Sequence, residues 1–446
     1  MRLIGINCLV AVLFFTSICN ASDQNINIDI QFNELQKTIH NQQLQIQQQA
    51  VQIKGQAEQL QSQQELLLRL EQQLDTLINQ LNVKPLSGAE SISPPQPDKV
   101  AQQPLPNTIT SGNDKIKLTL SGQINRAMNV VGDGGNTEIY HVDNNVSNSR
   151  FRLKGISQIT DDLTLGTRLE MTFTADESSK VSQIDRTPGN YLNARWVDIT
   201  LESKTYGKLS MGKGDTASYN TASVDLSKTD VIQYSSVADI VGGLFFRKKN
   251  GLLTQTAVAD VFTDFDGLGA KSRFRYDTPT FKGFSLAGSL VSSQGYDIAL
   301  YWDGEGDFFH GSGAFALSNP KLPDSGLQFD GSFSLLHTQS GLNLTLSSGM
   351  LEKKSTENAQ QFYAKLGWQT NLTKMGYTAF GIDHSLAENI AATGDRGTSI
   401  GAAIVQEFRK AATEMYFQYR VYQLKTGDNT SVNDINVGTL GIKVKF

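Results

Sequence analysis

From about Lys115 to Phe446 the chain alternates apolar and polar residues with a period of two. Leu163, Leu165, Leu169, Met171 and Phe173 alternate with Thr164, Arg168, Glu170 and Thr172. Phe151 and Leu153 alternate with Arg150, Arg152 and Lys154, and Met415, Phe417, Tyr419 and Val421 with Glu414, Gln418 and Arg420. Leu440, Ile442, Val444 and Phe446 alternate with Gly441, Lys443 and Lys445. Such runs, each about ten residues long and closed by Gly, Asn, Asp or Pro, predict strands joined by turns. Soluble sandwiches also have two-faced strands, but their inner face is dry. Here the polar face carries Arg, Lys and Glu again and again, which suits a water-filled lumen. No helical pattern interrupts the series. The expectation is an all-β transmembrane barrel of antiparallel strands, the closed form that satisfies every backbone group in lipid. Bacterial single-chain barrels have even strand numbers, and about twenty-one residues per strand and loop gives sixteen. Eighteen would follow if Gly243–Arg247 and Leu253–Val261 both span.

Before the barrel the period is seven. Phe32, Ile39, Ile46, Ile53, Leu60, Leu67, Leu74 and Leu81 occupy the a position of successive heptads. The d positions are Leu35, Gln42, Gln49, Gln56, Gln63, Leu70 and Leu77. This predicts an α-helical coiled coil over residues 22–83, weakened by its polar middle but with register set by it. A rise of about 1.5 Å per residue makes it a rod on the order of 80 Å long. Polar d layers resemble those of bacterial trimeric stalks, which favours three strands over two. Residues 84–114 hold Pro85, Pro94, Pro95, Pro97, Pro104 and Pro106, so they form an extended linker.

Residues 1–21 have the form of a signal peptide. Arg2 precedes an apolar core over Leu3–Phe15, and Cys19-Asn20-Ala21 offers a cleavage site. Both cysteines, Cys8 and Cys19, lie in this segment, so the exported chain has no disulfide to draw on. A lipid anchor at Cys19 is disfavoured by the bulky Ile18.

Composition narrows the field further. Charged residues make up 19% and the net charge is -5, which excludes a nucleic-acid partner read from basic surface. No run approaches the ~18 apolar residues of a membrane helix. The five histidines, His40, His141, His310, His337 and His384, are scattered. No nucleophile or metal-ligand spacing accompanies them, so neither an enzyme, a metal site nor a cofactor is expected.

Several patches resemble the general trimeric porins of Gram-negative bacteria. They are Ser149-Arg150-Phe151-Arg152-Leu153-Lys154-Gly155, Leu163–Phe173, Tyr206–Lys213 and Arg275–Phe284, in that order. The ending on Phe446 is similar to the C-terminal signal read by the barrel-assembly machinery. The likeness covers the barrel, residues 115–446; the rod is an addition similar in architecture to porins with periplasmic coiled coils. The resemblance implies a homotrimer in outer-membrane lipid that passes small hydrophilic solutes by diffusion. It also implies a third loop folded into the lumen, best matched by Asp215–Val241, with acids Asp215, Asp225, Asp230 and Asp239. Facing it would stand a basic ladder of Arg150, Lys154 and Lys213, to which this chain adds Arg152 and Arg168 on the same parity. Glu170, Asp198 and Glu202 share that parity and offset part of the charge. Two variants stay open: a substrate-selective porin favouring anions or small carboxylates, and an anchor tethered to the cell wall through the rod.

Overall fold

The computed structural model describes residues 108–109, 115–292 and 295–446. The signal peptide, the coiled-coil positions and most of the linker lie outside the described residues. Apart from loops and one small hairpin, the described residues form an antiparallel sheet closed on itself, with Thr108–Ile109 laid against its first strand at Leu118–Thr119. Its strands are β1 (Lys117–Gly132), β2 (Thr137–Asp143 and Arg150–Gln158), β3 (Leu163–Ala175), β4 (Asn190–Ser203), β5 (Gly207–Asp215) and β6 (Ala270–Asp277). There follow β7 (Phe284–Val291), β8 (Tyr296–Glu305), β9 (Phe309–Asn319), β10 (Ser325–His337) and β11 (Leu342–Lys353). The last are β12 (Ala359–Thr373), β13 (Gly376–Glu388), β14 (Arg396–Phe408), β15 (Thr413–Lys425) and β16 (Ile435–Lys445). Each pairs with its neighbour, and β1 pairs with β16 from Gln123↔Lys445 to Gly132↔Asn436. Phe446 extends this seam through two backbone bonds with Gly122, of 2.8 and 3.0 Å.

The strand number is therefore sixteen, as the spacing predicts. The eighteen-strand alternative does not hold: Phe245–Arg247 and Leu253–Ala257 pair with each other as a separate two-stranded hairpin, which is tied at its tip to the loop before the last strand, where the Arg247 carbonyl accepts from the Asn433 amide at 2.7 Å. The outer edge of the hairpin finds partners in loops, the Phe245 amide donating to the Gln183 side chain at 3.0 Å, so it needs no place in the wall.

Burial runs opposite to that of a soluble protein. Outward residues such as Leu366 (68% exposed) and Ile382 (62%) are bare, while inward Asn125, Asn129, Lys365 and Gln418 are buried. Apolar atoms meeting lipid and polar atoms meeting one another or water is the arrangement a bilayer selects. Short turns, such as 159–162, 204–206 and 374–375, join strands at one end, and longer loops at the other.

Strand β2 is broken in its middle. Asn145–Ser147 form a single 3-10 turn, capped by Asn144, whose side chain accepts from the Val146 amide at 3.0 Å. Asp143 accepts from the Ser149 amide at 3.0 Å, which restarts the strand at Arg150. Beyond the break the strand stays in the wall, paired with β1 from Gln123↔Arg150 to Lys117↔Ile156 and with β3 on its other side.

The segment between β5 and β6, residues 216–269, folds inside the barrel. Its Val231, Ile232, Leu244, Phe246, Val258 and Phe262 pack with Val142, Tyr416, Tyr422 and Val437 of the wall into one buried cluster. Such a core inside a barrel covers one side of the lumen and leaves the other open.

Candidate functional site

The inward loop is fastened to the wall at successive strands. The Ala217 amide donates to Ser289 on β7 (2.9 Å), and Ser218 donates to Asp297 on β8 (2.8 Å from its amide). Val224 and Leu226 donate to Ser332 and Ser334 on β10 at 2.8 and 3.0 Å. Lys365 on β12 ion-pairs with Asp225 and donates to the Gln233 carbonyl at 2.8 Å. Gln418 and Tyr422 on β15 donate to the carbonyls of Ile232 (3.1 Å) and Val237 (2.6 Å). Asn129 on β1 completes the arc at the Ile240 carbonyl, 2.9 Å away. The serines and amides of alternate positions reach the loop because the strand period puts them all on the inner face.

The uncovered wall, β2 to β6, is basic. Arg152 meets Glu170 at 2.5 Å, and Arg195 meets the same carboxylate at 3.1 Å. Arg168 and Arg273 share Asp198, at 2.5 and 2.7 Å. Arg275 pairs with Asp277 at 2.6 Å. Among the described residues Arg150 forms no ion pair; its guanidinium donates to the Asn148 amide oxygen at 3.4 Å. Glu170 and Asp198 have fully buried side chains, whereas Arg152 keeps 36% of its side chain exposed. Shared carboxylates sunk behind two guanidiniums each leave positive charge facing the water.

Between wall and loop lies a cavity of about 810 Å³. Arg150 and Arg195 line it from the wall, and Tyr219, Asp230, Asp239 and Asp266 from the loop. Asp239 accepts from the Tyr234 hydroxyl and from Asn145 at 3.1 Å. Burial within the loop pushes Asp239 up to about 7, although Tyr234 and Asn145 pull it down. Burial, then the neighbouring Asp264 carboxylate, push Asp266 up to about 8, against the pull of the Ala222 and Asn220 amides. Once those acids ionise, opposite signs across a water-filled gap with low-dielectric walls focus a transverse field on whatever passes.

The ladder and loop residues expected from the sequence divide as follows. Arg150, Arg152 and Arg168 lie together on the basic wall, and Asp230 lines the cavity opposite. Lys154 pairs across the sheet with Arg168 and has no ion-pair partner among the described residues. Three placements differ from expectation. Lys213 shares its face with exposed Leu209 and Met211 and stands opposite exposed Val197, so its parity is outward. Asp215 is the last residue of β5; it accepts the Trp196 indole N–H at 2.8 Å and belongs to the basic wall. Asp225 is neutralised by Lys365, because that stretch of loop is pressed against β12. The loop also continues well past Val241, which brings Asp264 and Asp266 to the site.

Arg195, Arg273 and Arg275 were not singled out from the sequence. Arg273 and Arg275 alternate with Phe274 and Tyr276, so the period of two could have found them. Arg195 could not be found this way. Glu170 pairs with Trp196 and Met171 with Ala194, so Arg195 is the extra residue of a β-bulge. The bulge turns two consecutive side chains, Arg195 and Trp196, to the lumen.

A closed barrel, apolar outside and charged within, narrowed by a loop from its own wall, is a diffusion channel of the bacterial outer membrane. Residues 99–440 match the Gram-negative porin family, and the chain belongs to it. No curated protein matches it in sequence. In structure it is similar to the anion-selective porin from Comamonas acidovorans (14% identity, TM-score 0.52), over 74% of this chain and 100% of that one. It is also similar to Salmonella typhi OmpF in complex with daunomycin (14% identity, TM-score 0.50, 76% and 100% covered). The outer-membrane channel DcaP of Acinetobacter baumannii is a third (11% identity, TM-score 0.51, 76% and 99% covered). At these identities the likeness is one of fold.

Proposed function

We propose that this porin is a homotrimeric channel whose constriction weakly prefers anions, with the preference set by pH. The observation that carries the reading is the sharing of Glu170 and Asp198 by two arginines each, beside Arg150, which forms no ion pair among the described residues. Basic side chains lining a pore favour anions. The facing acids oppose this only when ionised, and Asp239 and Asp266 are held towards their neutral forms. The anion-selective Comamonas porin has the same fold, so the architecture accommodates such a preference.

The remaining parts fit this role. A coiled coil at residues 22–83 would stand in the periplasm and assist trimer assembly; contact with the cell wall is a further use of the same rod. Phe446, next to the last strand, would be the residue that the barrel-assembly machinery reads before the barrel closes. A channel, and not catalysis, accounts for the charges that line the lumen.

The experiment is the reversal potential of the purified protein across a planar bilayer in a salt gradient. A potential of the sign for chloride over potassium near pH 6 supports the reading. A cation-selective potential at that pH, or no conductance, overturns it.

A further inference from the structure

We infer that Trp196 is a positioning residue of the filter: its indole face holds the guanidiniums of Arg152 and Arg168 at the lumen surface. The inference rests on the channel reading above and adds a specificity residue to it.

The guanidinium carbons of Arg152 and Arg168 lie 4.2 and 4.5 Å from the centre of the Trp196 ring, and that of Arg195 lies 5.4 Å from it. These three come from β2, β3 and β4 and carry like charge, so they repel one another. Glu170 pairs with Arg152 and Arg195, and Asp198 with Arg168 and Arg273, so two carboxylates serve four arginines and leave a net positive charge on the wall. An aromatic face attracts a cation electrostatically without adding a negative charge of its own. It therefore steadies the arginines without cancelling the field they make, which a further carboxylate would do.

The ring itself is fixed. Trp196 is 9% exposed, and its N–H donates to Asp215 at the end of β5, where the inward loop begins. The bulge beside it sends both Arg195 and Trp196 inward, so that ring and guanidinium lie on one face. A tryptophan that only filled space would not need its plane presented to two cations from neighbouring strands.

The test is the chloride-to-potassium permeability ratio of Trp196→Phe, Trp196→Leu and a chain carrying tetrafluorinated tryptophan at position 196. The fluorinated ring keeps the shape and the N–H but loses most of its attraction for cations. The ratio should fall about twofold or more with leucine and with the fluorinated ring, as expected for a cation–π contact at a wetted site, and stay near the native value with phenylalanine. Should Trp196→Leu fail to assemble, the fluorinated chain decides the matter alone. An unchanged ratio with the fluorinated ring, in a channel of native conductance, overturns the inference. Absence of conductance or selectivity in the native protein would instead overturn the channel reading on which it rests.

Discussion

Arg195 reaches the Glu170 carboxylate at 3.1 Å from the very place where β4 carries one residue more than β3. The insertion gives Glu170 a second cation besides Arg152 and brings Tyr219, the first aromatic of the inward loop, to within 3.3 Å of the same guanidinium. One irregularity in the ladder thus ties the basic wall to the loop that faces it.

Neutralising Glu170 should sharpen the anion preference. Glu170→Gln removes the charge that Arg152 and Arg195 share, and Arg150→Gln with Arg152→Gln removes charge of the opposite sign. A unit charge about 5 Å from a passing ion is worth about 0.8 kcal/mol in bulk water, so each charge removed should shift that ion's permeability by up to about fourfold, and the double arginine variant by more than Glu170→Gln. The two shifts have opposite directions, read as reversal potentials in a salt gradient.

Lys365→Met should loosen the loop. Lys365 and Asp225 are both buried, and removal of one partner from a buried pair costs about 3–5 kcal/mol. The expected outcome is a lower unfolding temperature together with frequent current fluctuations in single channels. A double variant with Asp225→Asn should recover part of both, since no unpaired charge then stays buried.

Anion preference should fall as pH rises. Asp239 and Asp266 are neutral below values of about 7 and about 8 and negative above them. Raising the pH from about 6 to about 9 therefore adds negative charge opposite Arg150 and Arg195 while the arginines stay charged. Asp239→Asn with Asp266→Asn should flatten the dependence and fix the low-pH selectivity, measured by reversal potential at each pH.

Removal of residues 23–114 should leave a conducting barrel with a lower yield of trimer. Gel mobility without heating, beside single-channel conductance, separates the two effects. Equal yield and heat resistance would assign the oligomeric state to the barrel alone.

The barrel was legible because its two faces differ in chemistry at every second residue. Phe151 and Leu153 against Arg150 and Arg152 state the fold and half the site together. Lys213 misleads because the family resemblance assigns it to the ladder, whereas the outward Leu209 and Met211 on its own parity put it on the other face. The bulge at Arg195 leaves no mark, since any residue can occupy it. The fate of Asp225 depends on Lys365, 140 positions away in the chain, and no local pattern joins them. Loop residues obey contacts of that range, whereas strand residues obey their neighbours.

The seam between Gln123 and Lys445 also bears on how the molecule is made. Each hairpin can zip with the one beside it, but this last ladder joins the two extremes of the barrel sequence and must wait for both. Until then two bare strand edges, rich in exposed aliphatic side chains, look for partners, and the commonest candidates are other copies in the same condition. Export must therefore deliver the polypeptide unclosed and shielded, and committing the final strand is the step at which a productive cylinder parts from an aggregate.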